Sequence, residues 1–214
     1  MKRNFYILFV FFIGVLILYA LKVEAVMPLT GKVFVLDAGH GKEDSGTSYG
    51  NIYEKDINLK IVLELEKELG SLGAEIILTR EGDYDLSRPN ATYRKKSDFD
   101  NRIKIINESN ADMYLSIHLN YLSDSKYFGP QVFYEENDKI LAETIQKNMN
   151  IELKGEREIK KIPSHTYMYN KLTISGVLIE CGFLSNPNER ELLQTEEYQR
   201  MVAKSIVKGI LEYF

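Results

Sequence analysis

The chain is poor in the residues that mark many specialised proteins. It has one cysteine, Cys181, among 214 residues, so no internal disulfide can form and stability must come from an ordinary core. There is no repeat, heptad run or low-complexity tract, which excludes a solenoid or a coiled coil. Cys181 has no histidine partner in sequence, so it has little support as a catalytic nucleophile. Basic residues are outnumbered, 27 against 31 acidic, for a net charge of −4. A nucleic-acid binder would show the opposite bias on one face. Histidine is scarce as well: His40, His118 and His165 are the full set.

What is present begins at the N-terminus. Lys2 and Arg3 precede an uncharged apolar run from Phe5 to Leu21. That run is at the lower length limit for crossing a bilayer and slightly long for a signal-peptide core. The charges ahead of it keep the N-terminus in the cytoplasm and send the rest across. Val23 and Ala25 are suitably small for cleavage after Ala25. Residues 1–27 are therefore expected to be either a cleaved signal peptide or a membrane anchor, and export is expected in both cases. The exported part is more acidic than the whole, because Lys2, Arg3 and Lys22 are removed against Glu24 alone. Residues 28–214 have the length and composition of one globular domain, in a chain 44% hydrophobic and 27% charged.

Lys32 to Leu36 reads as a short buried strand running into a glycine-flanked turn, Asp37-Ala38-Gly39-His40-Gly41. After Glu54-Lys55-Asp56, the positions Ile57, Leu59, Ile61, Val62, Leu65 and Leu69 fit one face of a helix that Gly70 and Gly73 stop. Ala74 to Arg80 is the next strand, so the order strand, helix, strand predicts a parallel sheet. Further expected elements are a loop from Glu81 to Arg94, a helix from Asp98 to Glu108 and a strand from Met113 to His118. Val132 to Tyr134 follows as a strand. Asp138 to Leu153 is a helix with Ile140, Leu141, Ile145 and Met149 facing inward. Tyr167-Met168-Tyr169 reads as an edge strand and Gly176 to Glu180 as a buried strand. Helices are expected from Asn186-Pro187 and from Glu196 to Tyr213. The fold class is α/β: a single three-layer domain with a mostly parallel central sheet flanked by helices, preceded by the N-terminal apolar segment.

Three of these strands end in groups suited to metal or acid–base chemistry: His40, His118 and Glu180. In a parallel sheet such ends lie along one edge, where ligands bind. Glu54 opens the helix after the first strand and can lean over the same edge. Two imidazoles and a carboxylate form one kind of catalytic zinc site, and a further carboxylate nearby serves as general base. Asp37 is expected to bond amides of its own turn or to orient His40. Glu43 and Asp44 read as solvated loop charges and His165 as a loop residue. Tyr121 and Tyr127 are candidates for a glycan groove.

Four motifs, Leu36-Asp37-Ala38-Gly39-His40-Gly41, Glu54-Lys55, Ser116-Ile117-His118-Leu119-Asn120 and Ile179 to Asn186, resemble in order and spacing the zinc-dependent N-acetylmuramoyl-L-alanine amidases of the Amidase_3 type. The resemblance spans Lys32 to Phe214. It implies Zn2+ held by His40, Glu54 and His118, with Glu180 as the catalytic glutamate. Arg102 matches an arginine often present before the Ser-Ile-His strand. Ala38 stands where the family usually has proline, and Lys42 where it often has a second glycine. The reaction implied is hydrolysis of the amide between N-acetylmuramic acid and L-alanine in peptidoglycan. The alternatives are a non-catalytic or partner-regulated peptidoglycan-binding protein and a zinc peptidase acting on the stem peptide. The short, membrane-proximal architecture is similar to the germination-specific spore-cortex amidases of endospore formers. Those help to make muramic-δ-lactam, and the similarity implies an activating lipoprotein partner.

Overall fold

The computed structural model describes Phe12 and residues 27–214. The expected signal peptide or anchor lies outside the described residues. Among the described residues, no helix is long and apolar enough to cross a membrane.

A six-stranded sheet forms the middle layer. Its strands are β1 (Val33–Ala38), β4 (Glu75–Leu78), β5 (Met113–Asn120), β6 (Gln131–Tyr134), β7 (Lys160–Lys161) and β8 (Gly176–Phe183), in the order β4-β1-β5-β8-β6-β7. All neighbours are parallel except β6 against β8. A small antiparallel pair, β2 (Ser48–Tyr49) and β3 (Ile52–Tyr53), sits in the loop after β1. The helices are α1 (Glu54–Ser71), α2 (Arg94–Glu108), α3 (Lys139–Leu153), α4 (Pro187–Leu193) and α5 (Glu196–Tyr213).

The period-2 alternation of the strands sorts side chains onto two faces. Phe34, Leu36, Ala38, Met113, Leu115, Ile117 and Leu119 point to the main core, with Ile57, Ile61 and Leu65 of α1, Leu141, Ile145 and Met149 of α3, and Val202, Ile206 and Ile210 of α5. Most of these are fully buried, each stabilising by about 1.5–3 kcal/mol relative to exposure. Gly209 allows the close approach of α5 to α3, since a Cβ there would stand 2.5 Å from the Ile145 Cα. Val35 and Tyr114 point the other way, to a second cluster with Ile106 of α2 and with Ile162, Met168 and Tyr169. Asp37, Ser116 and His118 alternate onto this second face as well. Both faces of the parallel strands are covered, which is why they read as nearly continuous apolar runs.

Three expectations are corrected. Ile140 is 68% exposed, and Ala142 takes its place, because the buried stripe of α3 is Leu141, Ala142, Ile145 and Met149. Tyr167-Met168-Tyr169 is not a strand: Tyr169–Lys171 forms a 3₁₀ turn, and the edge strand is Lys160–Lys161. Met168 and Tyr169 are both buried in one cluster, which consecutive residues of a strand cannot achieve on one face. Helix α2 begins at Arg94, four residues before the expected Asp98. Its first turn is basic, against the helix dipole. Arg94 pairs with Asp85 and Lys96 with Asp100, while Lys95 lies 3.5 Å from Asp44.

Candidate metal centre

Glu54, His118 and Glu180 meet His40 at the C-terminal edge of the sheet. His40 follows β1, held by the bond from the Gly39 amide to the Ile117 carbonyl at 3.0 Å. Glu54 is the first residue of α1. His118 and Glu180 are register partners on adjacent strands, so their side chains leave the sheet on one face.

His40, Glu54 and His118 come together closely enough to hold a metal ion, with one ligand atom from each all within 4.8 Å of one another. Glu54 Oε1 lies 3.2 Å from His40 Nε2 and 3.0 Å from His118 Nδ1. Tetrahedral coordination with bonds of about 2.1 Å separates ligand atoms by roughly 3.4 Å, so the donor set and its spacing fit a zinc-like ion. The Glu54 carboxylate is fixed by its surroundings. Oε2 accepts the Thr47 amide at 2.7 Å, and Oε1 accepts the Leu119 amide at 3.0 Å and Asn58 Nδ2 at 3.2 Å. Burial opposes its charge, but His118 and His40 outweigh that and hold the carboxyl far below the usual range.

Two glycines make the room. A Cβ on Gly39 would lie 2.3 Å from His118 Cε1, and one on Gly46 would lie 2.5 Å from Glu54 Oε2. His40 itself has φ 65° and Lys42 φ 51°, both left-handed. Such a backbone costs a side-chain-bearing residue about 1–3 kcal/mol. At Lys42 this accounts for the glycine expected there, while the Lys42 side chain points to solvent.

The strained turn is clamped from behind by two buried arginines that sequence reasoning left without a role. Arg80 donates to the carbonyls of Ala38 at 2.9 Å and Gly39 at 3.0 Å. Arg102 donates to the carbonyls of Ala38 at 2.8 Å and His40 at 2.7 Å, and to Asp37 Oδ1 at 2.6 Å. Asp37 therefore neither bonds its own turn nor orients His40. It accepts from Arg102, from Thr79 at 2.8 Å and from Ser116 at 2.6 Å. Burial would raise its pKa, but Arg102 and then the Ser116 hydroxyl bring it down to about 2.

Asp44 is not a free loop charge. Its Oδ2 lies 3.0 Å from His40 Nδ1, though off the N–H axis, and the imidazole holds its carboxyl far below the usual range. Burial works against charging His40, but Asp44 and Glu54 lift its pKa to about 9. Asn58 was also missed, although it lies one helical turn after Glu54 and so shares its face. His165 is an exposed loop residue, as expected. Cys181 is fully buried on the main-core face, opposite Glu180, and burial pushes its thiol up. Glu180 is the contrasting case: burial, reinforced by the Glu54 charge, raises its carboxyl to about 8, and its Oε2 has no hydrogen-bond partner. A cation at the triad would lower that value again.

The stretch of chain that carries His40, Glu54, His118 and Glu180 matches one family. The family model described as N-acetylmuramoyl-L-alanine amidase, Amidase_3, matches residues 34–212. The chain belongs to this amidase family. It is 42% identical over 196 residues to the germination-specific N-acetylmuramoyl-L-alanine amidase of Bacillus subtilis, covering 88% of this chain and 82% of that protein. Its fold is similar to that of the CwlD amidase from Clostridioides difficile, solved in complex with the GerS lipoprotein, with a TM-score of 0.80 and 41% identity over 86% of this chain and 98% of that one. AmiC2 of Nostoc punctiforme is similar at a TM-score of 0.75 and 28% identity, over 86% and 98% of the two chains. Amidase members share the α/β architecture described above, so fold and activity class stand together: hydrolysis of the amide between N-acetylmuramic acid and L-alanine.

Proposed function

We propose that this amidase is zinc-dependent and works outside the cytoplasm, on peptidoglycan of the spore cortex. The observation that carries the reading is the close His40–Glu54–His118 group beside the half-buried Glu180, which has no hydrogen-bond partner on Oε2. The three are the metal ligands, and Glu180 is the catalytic carboxylate. When bound, zinc supplies a Lewis acid that polarises the scissile carbonyl and brings the pKa of a water to about 7.

The protein does the rest. Glu180, half-buried and beside His118 on the adjacent strand, is the carboxylate that takes a proton from the attacking water. The same carboxyl then delivers it to the departing amine of L-alanine, so one group acts as base and then as acid. The bond broken is the amide between the lactyl group of muramic acid and L-alanine, and the products are a freed stem peptide and a bare lactyl carboxylate. Thr47, Leu119 and Asn58 keep Glu54 from rotating away, and Asp44 steadies His40.

Residues 1–27 export the domain at 28–214 and, if uncleaved, hold it at the membrane. The identity to a germination-specific amidase supports a cortex role, with muramic-δ-lactam formed from muramic acid once its peptide is gone. The relative solved with a lipoprotein supports a lipoprotein partner for this chain too.

The test is to digest purified peptidoglycan with the zinc-loaded protein and identify new N-termini. An N-terminal L-alanine on the released stem peptide is expected. New ends inside the stem peptide would instead make the protein a zinc peptidase, and binding without new ends a non-catalytic wall protein.

A further inference from the structure

The ring of His118 has two nitrogens, and the one facing away from Glu54 is also engaged. His118 Nε2 lies 3.3 Å from the Tyr169 hydroxyl. That hydroxyl is 3.0 Å from Ser116 Oγ, and Ser116 donates to Asp37 Oδ2 at 2.6 Å. Arg102 closes the line on Asp37 Oδ1 at 2.6 Å. Tyr169, Ser116, Asp37 and Arg102 are all buried. Beside them lies a cavity of about 100 Å³ lined by Phe99, Met168 and both ligand histidines.

We propose that Tyr169 is a positioning residue for the metal: through Ser116 and the Asp37–Arg102 ion pair, it fixes the tautomer and tilt of His118. The proposal rests on His118 being a metal ligand.

The direction of each hydrogen bond follows from its far end. Arg102 is a permanent cation, so the carboxylate against it is an acceptor only. Ser116 must then use its one proton on Asp37, which leaves its oxygen to accept from the Tyr169 O–H. With its proton spent on Ser116, the Tyr169 oxygen can only accept, and what faces it is His118 Nε2. The proton of the imidazole is thereby drawn to Nε2, and the lone pair is left on Nδ1, the nitrogen 3.0 Å from Glu54 Oε1. A hydrogen-bonded partner on the non-ligating nitrogen is how proteins commonly fix a metal-binding histidine, and losing one typically costs about 10–100-fold in metal affinity. Here the partner is a tyrosine contributed by the segment between β7 and β8. Ser116 stands two residues before His118 on the same strand face, so one strand carries both ends of the loop.

The experiment measures zinc affinity by competition with a chromophoric chelator, alongside thermal unfolding of the zinc-free protein. Y169F removes one oxygen and keeps the ring. It is expected to weaken zinc binding by about 10–100-fold. Ser116→Ala breaks the next link without touching the tyrosine's packing, and should weaken binding to a similar extent. The double variant should be no worse than either single one, because both cut the same line. Zinc affinity in Y169F within about twofold of the wild type would overturn the proposal, and so would losses that multiply in the double variant. His118→Ala separates the two levels of argument. If it loses zinc while Y169F binds normally, the relay alone is wrong; if it still binds zinc normally, the ligand assignment is wrong.

Discussion

Gly39→Ala asks how tightly the site is built. The added Cβ would stand 2.3 Å from His118 Cε1, 2.4 Å from Nε2 and 2.7 Å from Nδ1. Carbon atoms rest about 3.5–4.0 Å apart, so the ring must retreat by roughly 1 Å or more. Any retreat, including one into the neighbouring cavity, breaks its contacts with Glu54 Oε1 at 3.0 Å and the Tyr169 hydroxyl at 3.3 Å. Overpacking of this kind costs about 1–3 kcal/mol in stability, which a domain of this size survives. The functional cost is larger in proportion, since displacing a reacting group by about 1 Å lowers turnover by about 100-fold. Zinc affinity and the release of N-terminal alanine from peptidoglycan, with zinc in excess, are the measurements. Gly70→Ala is the control: it lies within α1, nothing is within 4 Å of its Cβ, and it should leave both quantities unchanged. Turnover and zinc affinity of the Gly39 variant within about threefold of the wild type would refute the claim that the histidine ring is held rigidly.

Glu180→Gln is expected to keep zinc and lose about 10²–10⁴-fold in hydrolysis, because the amide cannot shuttle the proton; metal content and product release measured on one sample check it. His118→Ala should lose both metal and activity. Dialysis against a chelator should lower the melting temperature as well as activity, with both restored by added zinc, because a ligand that binds only the folded state stabilises it. Asp37 sets an acid limit. Its folded pKa of about 2 is below the ordinary 3.8, so its stabilisation is complete above about pH 4 and is lost as pH falls through 2. The loss is about 2 kcal/mol, read by urea unfolding at pH 7 and near pH 2.

Much of the site was legible in the linear order of residues. His40, His118 and Glu180 each follow an apolar run near the C-terminal end of a strand, and parallel strands put such ends together, so the order of elements was enough to bring them near. Glu54 followed from its place at the start of the helix after β1. The less legible parts have physical causes. Ile140 was misread because a helical stripe has fuzzy borders, and tertiary packing chose Ala142. The basic first turn of α2 disguised its start, because two of the compensating carboxylates, Asp85 and Asp44, come from two separate loops outside the helix. Asp37 looked like a turn residue because Arg102, its partner, lies 65 positions away.

By itself the sequence determined the class of fold, the gathering of His40, His118 and Glu180 at one edge of the sheet and, through four motifs in register, the amidase family. The first two follow from periodicity and element order, and the family from a resemblance carried by short local motifs. The tertiary structure alone decided how the groups are held. The two arginines behind the turn, Asn58 and the Thr47 amide on Glu54, Asp44 on His40, and Tyr169 behind His118 act across gaps in sequence that no periodicity encodes. Buried hydrogen-bonding groups must find partners wherever the fold brings them, and here those partners hold Glu54 and His118 in place.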